Sequence, residues 1–131
     1  KWMAMSCHFN LVDFEPFETD LLRYCGADAL ERFGHYNRAV AAALPAGHLF
    51  SMAMLGVRRS HQERGIGTRL VQWANASCDA DPRAAGLITD TGSDRVARLF
   101  TSLGYREIAQ VAVSSDLRQS VLFRPRGSHL A

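Results

Sequence analysis

The sequence predicts an α/β domain in which helices flank a mixed central sheet, and three observations carry that expectation. First, His48–Val57 reads HLFSMAMLGV and is apolar on both alternating faces. Leu49, Ala53 and Leu55 lie on one side with Ser51 among them, and Phe50, Met52 and Met54 lie on the other. A central strand covered on both sides has this pattern. Second, Ile66, Leu70, Val71, Ala74 and Cys78 recur at helical spacing, and the apolar run Gly86–Thr89 follows. A strand reached through a whole helix returns parallel to the one before it. Third, Tyr105–Val113 and Ser120–Phe123 flank Ser114-Ser115-Asp116 and predict an antiparallel pair that closes the sheet.

The remaining elements follow in order. Lys1–Phe9, with apolar Trp2, Met3, Met5 and Cys7, reads as a first strand, and Phe14, Pro16 and Phe17 as an irregular apolar connection. From Asp28 the pattern becomes helical. Asp28 and Glu31 have the spacing of a capping box, and Leu30, Phe33, Asn37, Val40 and Leu44 follow before Pro45-Ala46-Gly47 ends the helix. Asp79-Ala80-Asp81-Pro82 terminates the helix that starts at Ile66. After Thr91-Gly92-Ser93-Asp94, the residues Val96, Leu99, Phe100 and Leu103 mark a short helix closed by Gly104. Trp2 and Trp73 read as packing residues. One domain over 1–125 accounts for the length of 131 residues, and 126–131 resemble a tail or vector remnant.

Composition narrows the function classes. Hydrophobic residues make up 47% and charged residues 21%, as in a folded globular chain. A net charge of +2 is too small to argue for nucleic acid, and no apolar run is long enough to span a membrane. Cys7, Cys25 and Cys78 form no CxxC pair, which predicts reduced thiols in the cytoplasm. His8, His35, His48, His61 and His129 show no metal-ligand spacing, so no metal is expected, and His48 and His61 read as surface or loop histidines.

The informative stretch is Leu55–Leu70, LGVRRSHQERGIGTRL. A strand feeding a helix through Gln62-x-x-Gly65-x-Gly67 leaves the first N–H groups of the helix unpaired and convergent, with the helix dipole behind them. That arrangement suits a pyrophosphate. Glycine at 65 and 67 removes the side-chain bulk that would hold phosphate oxygens away. Thr68 can add a hydroxyl, and Arg58, Arg59, Arg64 and Arg69 surround the loop. Two other phosphate motifs fail. A P-loop needs lysine after its second glycine, where Thr68 stands, and the dinucleotide fingerprint needs a third glycine, where Leu70 stands.

In this register, Val57-x-x-x-x-Gln62-x-x-Gly65-x-Gly67 resembles the acetyl-CoA signature of the GCN5-related N-acetyltransferase (GNAT) family. Leu99-Phe100-Thr101-Ser102-Leu103-Gly104-Tyr105 resembles its second signature. The resemblance covers about residues 48 to 113. It implies a GNAT-like fold and an acetyl-CoA-dependent N-acetyltransferase acting on a primary amine of a small molecule. The implied binding residues are Gln62, Glu63, Arg64, Gly65, Ile66, Gly67 and Thr68 for the pyrophosphate. Leu55, Gly56 and Val57 would pair with the pantetheine arm and polarise the acetyl carbonyl. The two parallel strands should splay to admit the thioester.

Several positions depart from the family pattern. Phe100 stands where the family often has a tyrosine acid, which leaves Tyr105 or another group to substitute. Ser93 replaces an asparagine and reads either as a pantetheine contact or as a plain helix N-cap. The central strand carries no acid, so Asp90, just past the second strand, is the candidate base. Only 47 residues precede His48, so strands ahead of the centre should be lacking or shortened and the substrate-covering helices missing. The exposed edge left behind would favour a homodimer or strand exchange. These departures keep open a second reading, a CoA-binding module without turnover that serves as sensor or partner subunit.

Overall fold

A computed structural model describes residues 5–6 and 15–128. The elements run β1 (Met5–Ser6), α1 (Glu15–Cys25), α2 (Ala27–Ala43), β2 (His48–Met52), α3 (Ile66–Ala80), β3 (Ala84–Thr91), α4 (Asp94–Ser102), β4 (Arg106–Ala112) and β5 (Arg118–Pro125). The sheet order is β1-β2-β3-β5-β4. Only β2 and β3 run parallel, with Met52 opposite Thr89 at the last rung, and the other pairs are antiparallel. This is the mixed sheet expected from the helix between the two apolar strands. Trp2, Met3 and Cys7 of the expected first strand lie outside the described residues.

Two apolar clusters cover the two faces. Phe50, Met52, Val71, Ala74, Cys78, Leu87, Phe100, Leu103 and Leu122 pack beneath α3 and α4. Val40, Val111 and Val121 pack beneath α2, with Tyr36, Ala39, Leu44 and Ile108 around them. Alternation along β3 and β5 sends Leu87 and Leu122 to one cluster and Val121 to the other. Gly86 exists because β5 crosses too closely for a side chain: a Cβ there would lie 2.4 Å from the Arg124 carbonyl oxygen.

Four expectations need correction. Residues 15–25 are helical, not an irregular connection; Pro16 sits in the first turn, where a missing N–H costs nothing. Both helices ahead of β2 are therefore present, and Phe17 of α1 meets Phe33 of α2 at a ring separation of 5.0 Å. What the chain omits is any strand between α2 and β2, since only Leu44–Gly47 join them. The expected capping box at Asp28 does not form; α2 starts one residue earlier behind Gly26, which has φ 86 and no side-chain cap. Finally, β2 ends at Met52, and only its Phe50/Met52 face is buried, while Leu49 and Ser51 stay half-exposed.

A buried ion pair fixes the end of β5. Arg124, 4% exposed, donates from Nη1 and Nη2 to the two Asp79 carboxylate oxygens at 2.9 and 2.8 Å. Residues 126–128 join this cluster, with Gly127 N donating to Asp79 at 2.7 Å, Ser128 O accepting from Arg124 at 2.6 Å and Arg126 N donating to Ala85 O at 3.0 Å. Removing the carboxylate strands a buried guanidinium. Asp79→Ala is expected to cost about 2 kcal/mol in urea unfolding, reduced from a fully buried pair because Asp79 is partly solvated.

Candidate functional site

The glycine corner is built by backbone geometry. After Met52 the chain leaves the sheet as an irregular segment, exposed from Ala53 to Gly56, turns once at Arg59–His61, and enters α3 at Ile66. Gln62 Nε2 donates to Val57 O at 3.0 Å and ties the turn to the segment before it. Gly65 caps α3 in the left-handed region at φ 72, and Glu63, at φ 61, takes the same unusual conformation with a side chain. Alternating left-handed residues turn successive N–H groups toward one side, forming an anion-binding concavity.

Those N–H groups stay available. Arg69 N donates to Gly65 O at 3.0 Å, and among the described residues no backbone carbonyl accepts from the N–H of 63–68. The glycines are not demanded by the chain's own packing. A Cβ at Gly65 would meet nothing within 4 Å, and one at Gly67 only Val57 Cγ2 at 3.8 Å. The cradle is open where a diphosphate would sit, and a side chain would fill it.

This corner forms one wall of a groove of about 560 Å³ lined by Val57, His61, Gln62, Glu63, Gly65, Ile66, Gly67, Thr68, Ser93, Arg95, Val96 and Leu99. It gathers most of the residues the sequence singled out; Leu55, Gly56 and Arg64 are exposed beside it and do not line it. Arg95, Val96, Leu99 and His61 were missed as site residues. Val96 and Leu99 read as ordinary apolar positions of a short helix, and nothing local shows that α4 turns that side toward the groove. Ser93 caps α4, its Oγ accepting from Val96 N at 3.4 Å, and Thr91 Oγ1 accepts from Ser93 N at 3.1 Å. The cap considered for it is present, and the residue also lines the groove.

Asp90 stands on the other side of the sheet. It is the first residue of β3 beyond the Met52–Thr89 rung, which Thr89 Oγ1 closes by donating to Met52 O at 3.1 Å. Tyr36 of α2 donates its hydroxyl to Asp90 Oδ2 at 2.5 Å. Burial, then the Asp90 hydrogen bond and charge, push the Tyr36 phenol well above its ordinary range, so it stays a protonated donor. This pair spans 54 positions in sequence, and no local pattern announces it. A second cavity of about 290 Å³ opens here, lined by Phe17, Leu21, Ala29, Arg32, Phe33, Tyr36, Asp90, Val113 and Gln119.

Tyr105 is not near either cavity. Its hydroxyl donates to buried Asn75 Oδ1 at 2.7 Å, its ring packs edge-on to Phe100 at 4.9 Å, and both rings are 3% exposed. Neither can meet a reacting atom, which removes Tyr105 as a substitute acid. Trp73 is likewise not a core residue: it is 52% exposed on α3.

A family model described as an acetyltransferase (GNAT) domain matches residues 21–107. No curated protein matches the chain. Among solved structures, Arabidopsis thaliana NAA60 in complex with acetyl-CoA superposes with a TM-score of 0.55 at 16% identity, over 63% of this chain and 51% of that one. An acetyltransferase from Bacillus cereus gives 0.53 at 18% identity over 59% and 55%. Arylalkylamine N-acetyltransferase 2 from Aedes aegypti gives 0.66 at 10% identity over 94% and 66%. The chain spans about half the length of the Arabidopsis and Bacillus proteins. At these identities the likeness is one of fold.

Two substitutions separate backbone demand from ligand demand at the corner. Gly67→Ala places alanine inside a helix and is expected to raise stability by about 0.5–1 kcal/mol. Gly65→Ala forces a left-handed alanine and should cost about 1 kcal/mol; thermal unfolding of the two variants reads the difference. Tyr105→Phe leaves the Asn75 carbonyl without its donor and is expected to lower stability by about 1–2 kcal/mol in the same measurement.

Proposed function

The chain belongs to the GNAT acetyltransferase family, and from that premise we propose that it transfers an acetyl group from acetyl-CoA to a primary amine of a small molecule by direct attack. One observation carries the reading: a run of unclaimed N–H groups at a helix start, beside two glycines where the fold leaves open room for a side chain. A diphosphate is the ligand those groups suit.

Acetyl-CoA supplies the activated acyl group as a thioester. The N–H groups of Glu63–Thr68 hold its diphosphate, and Thr68 and Arg95 add side-chain donors from the groove walls. The Ala53–Val57 segment, which takes no strand partner among the described residues, offers its backbone to the pantetheine arm as a peptide offers itself to a sheet edge. Its N–H groups near Leu55–Val57 polarise the acetyl carbonyl. The amine nitrogen forms a bond to the acetyl carbon, the carbon–sulfur bond breaks, and CoA leaves as its thiolate. The proton released from nitrogen passes to the Asp90 carboxylate, directly or through water. We propose a reducing, cytoplasmic setting for this activity, which the three cysteines without a CxxC pair support. Among the described residues no helix is long and apolar enough to cross a membrane.

A second reading, CoA binding without turnover, draws on the burial of Phe100 and Tyr105, which leaves no acid at the second signature. Calorimetric titration with acetyl-CoA followed by a free-thiol assay against a panel of primary amines separates the two. Binding with thiol release supports transfer, and binding without release to any amine leaves only the module. Gly67→Glu puts bulk and negative charge against the diphosphate. It is expected to abolish acetyl-CoA binding while circular dichroism stays native, and normal binding would refute the diphosphate assignment.

A further inference from the structure

The cavity beside Asp90 is not explained by holding the nucleotide. It lies on the α1/α2 face of the sheet, whereas the nucleotide groove lies at the α3/α4 face. Its walls are Phe17 and Leu21 from α1, Ala29 and Phe33 from α2, and Val113 after β4. Into this apolar surface the fold places one carboxylate, Asp90, with the Tyr36 hydroxyl donating to it at 2.5 Å. Arg32 and Gln119 complete the wall, and Gln119 Oε1 is buried with no hydrogen-bond partner among the described residues. A buried acceptor without a donor is unfavourable, and an arriving N–H would relieve it.

We infer that this cavity is the acceptor site of the proposed transferase and takes a singly charged primary amine with a compact apolar or phenyl body, the ammonium seated between Asp90 and Gln119. The inference rests on the acetyl-transfer reading and deepens it.

Each part of the cavity selects something. The carboxylate attracts a cation, and as the sole acid among the residues that line the space it suits one positive charge. The Phe17–Phe33 pair, at 5.0 Å, supplies aromatic faces for an apolar body. Arg32 in the wall repels a second positive charge, which disfavours polyamines. A volume of about 290 Å³ admits one ring and a short chain but not a folded peptide. The position also suits transfer. Asp90 follows directly on the last rung shared by β2 and β3, so an ammonium held there lies at the point where the strands part and a thioester can enter between them. Tyr36 is a positioning residue: its hydroxyl orients the carboxylate and does not need to touch the amine.

The test is direct binding, measured by calorimetry on the protein alone and on the protein saturated with CoA. The probes are 2-phenylethylamine, its neutral analogue 2-phenylethanol, and spermidine. The expected order is 2-phenylethylamine at least tenfold tighter than either of the others, with Asp90→Asn and Phe33→Ala each weakening it at least tenfold. In the thiol-release assay Tyr36→Phe should raise KM several-fold and leave kcat within twofold, a split that a merely structural loss would not give. Equal binding of 2-phenylethylamine to wild type and Asp90→Asn, or preference for spermidine, would overturn the assignment even where acetyl-CoA binds. Failure of acetyl-CoA to bind, with the amine still bound at Asp90, would instead sink the transfer reading and leave the cavity as an amine site.

Discussion

Backbone N–H and C=O groups must find partners, and this fold withholds them at one place. A helix always begins with N–H groups that its own turns cannot satisfy. Here the αL residues Glu63 and Gly65 gather those groups onto one side, and no carbonyl of the described chain takes them up. Directly upstream, Ala53–Gly56 leave the sheet without a backbone partner among the described residues. Two sets of unsatisfied groups thus flank one groove. Exposed to water they cost little, and presented to a ligand with both phosphate oxygens and an amide-bearing arm they become a matched set.

The parting of β2 from β3 links that groove to the opposite side of the sheet. Pairing holds through Met52 and Thr89, reinforced by the Thr89 hydroxyl on the Met52 carbonyl, and then β3 continues alone beside β5. A closed parallel pair would seal the sheet between the α3/α4 side and the α1/α2 side. β2 ends before β3 does, and the first residue of β3 past that end is Asp90. Its partner Tyr36 comes from α2, whose neighbours Val40 and Ala39 are anchored on β4 and β5 by the second apolar cluster. The helix that covers the cavity is therefore held by strands remote from the nucleotide groove, so that the two sites are built on separate cores.

How far the sequence revealed this depended on how local each signal is. α3 and its corner were legible because the apolar spacing from Ile66 to Cys78 and the glycines at 65 and 67 are determined within a few residues. The parallel β2–β3 pair followed from a connection rule. α1 was not legible: Pro16 looked like a breaker, although a proline in a first helical turn sacrifices no bond, and the exposed Phe17 and Tyr24 blur its apolar stripe. The capping-box spacing at Asp28 misled because the tight α1–α2 joint at Gly26, not a side chain, sets where α2 begins. Tyr36–Asp90 was out of reach, since the pair exists only through the packing of α2 on the sheet. Trp73 failed for the opposite reason: large and apolar, it was assigned to a core that α3 turns away from.

The burial of Phe100 and Tyr105 bears on which half of the proposed reaction needs help from the protein. A thiol titrates near 8.5, so departure as thiolate rather than thiol at neutral pH costs only about 2 kcal/mol. A positioned acid is commonly worth about 10²–10⁴ in rate, but much of that worth is absent when the leaving group is already a weak base. An alkylammonium nucleophile is different, because it cannot attack until it has lost a proton. The polar groups of this chain are distributed accordingly. No free acid stands at the second signature, where Phe100 and the Asn75-bound Tyr105 are packed into the core. The carboxylate and the phenol stand together where the amine would arrive. An aromatic core position in place of an acid is then a choice the proposed chemistry permits.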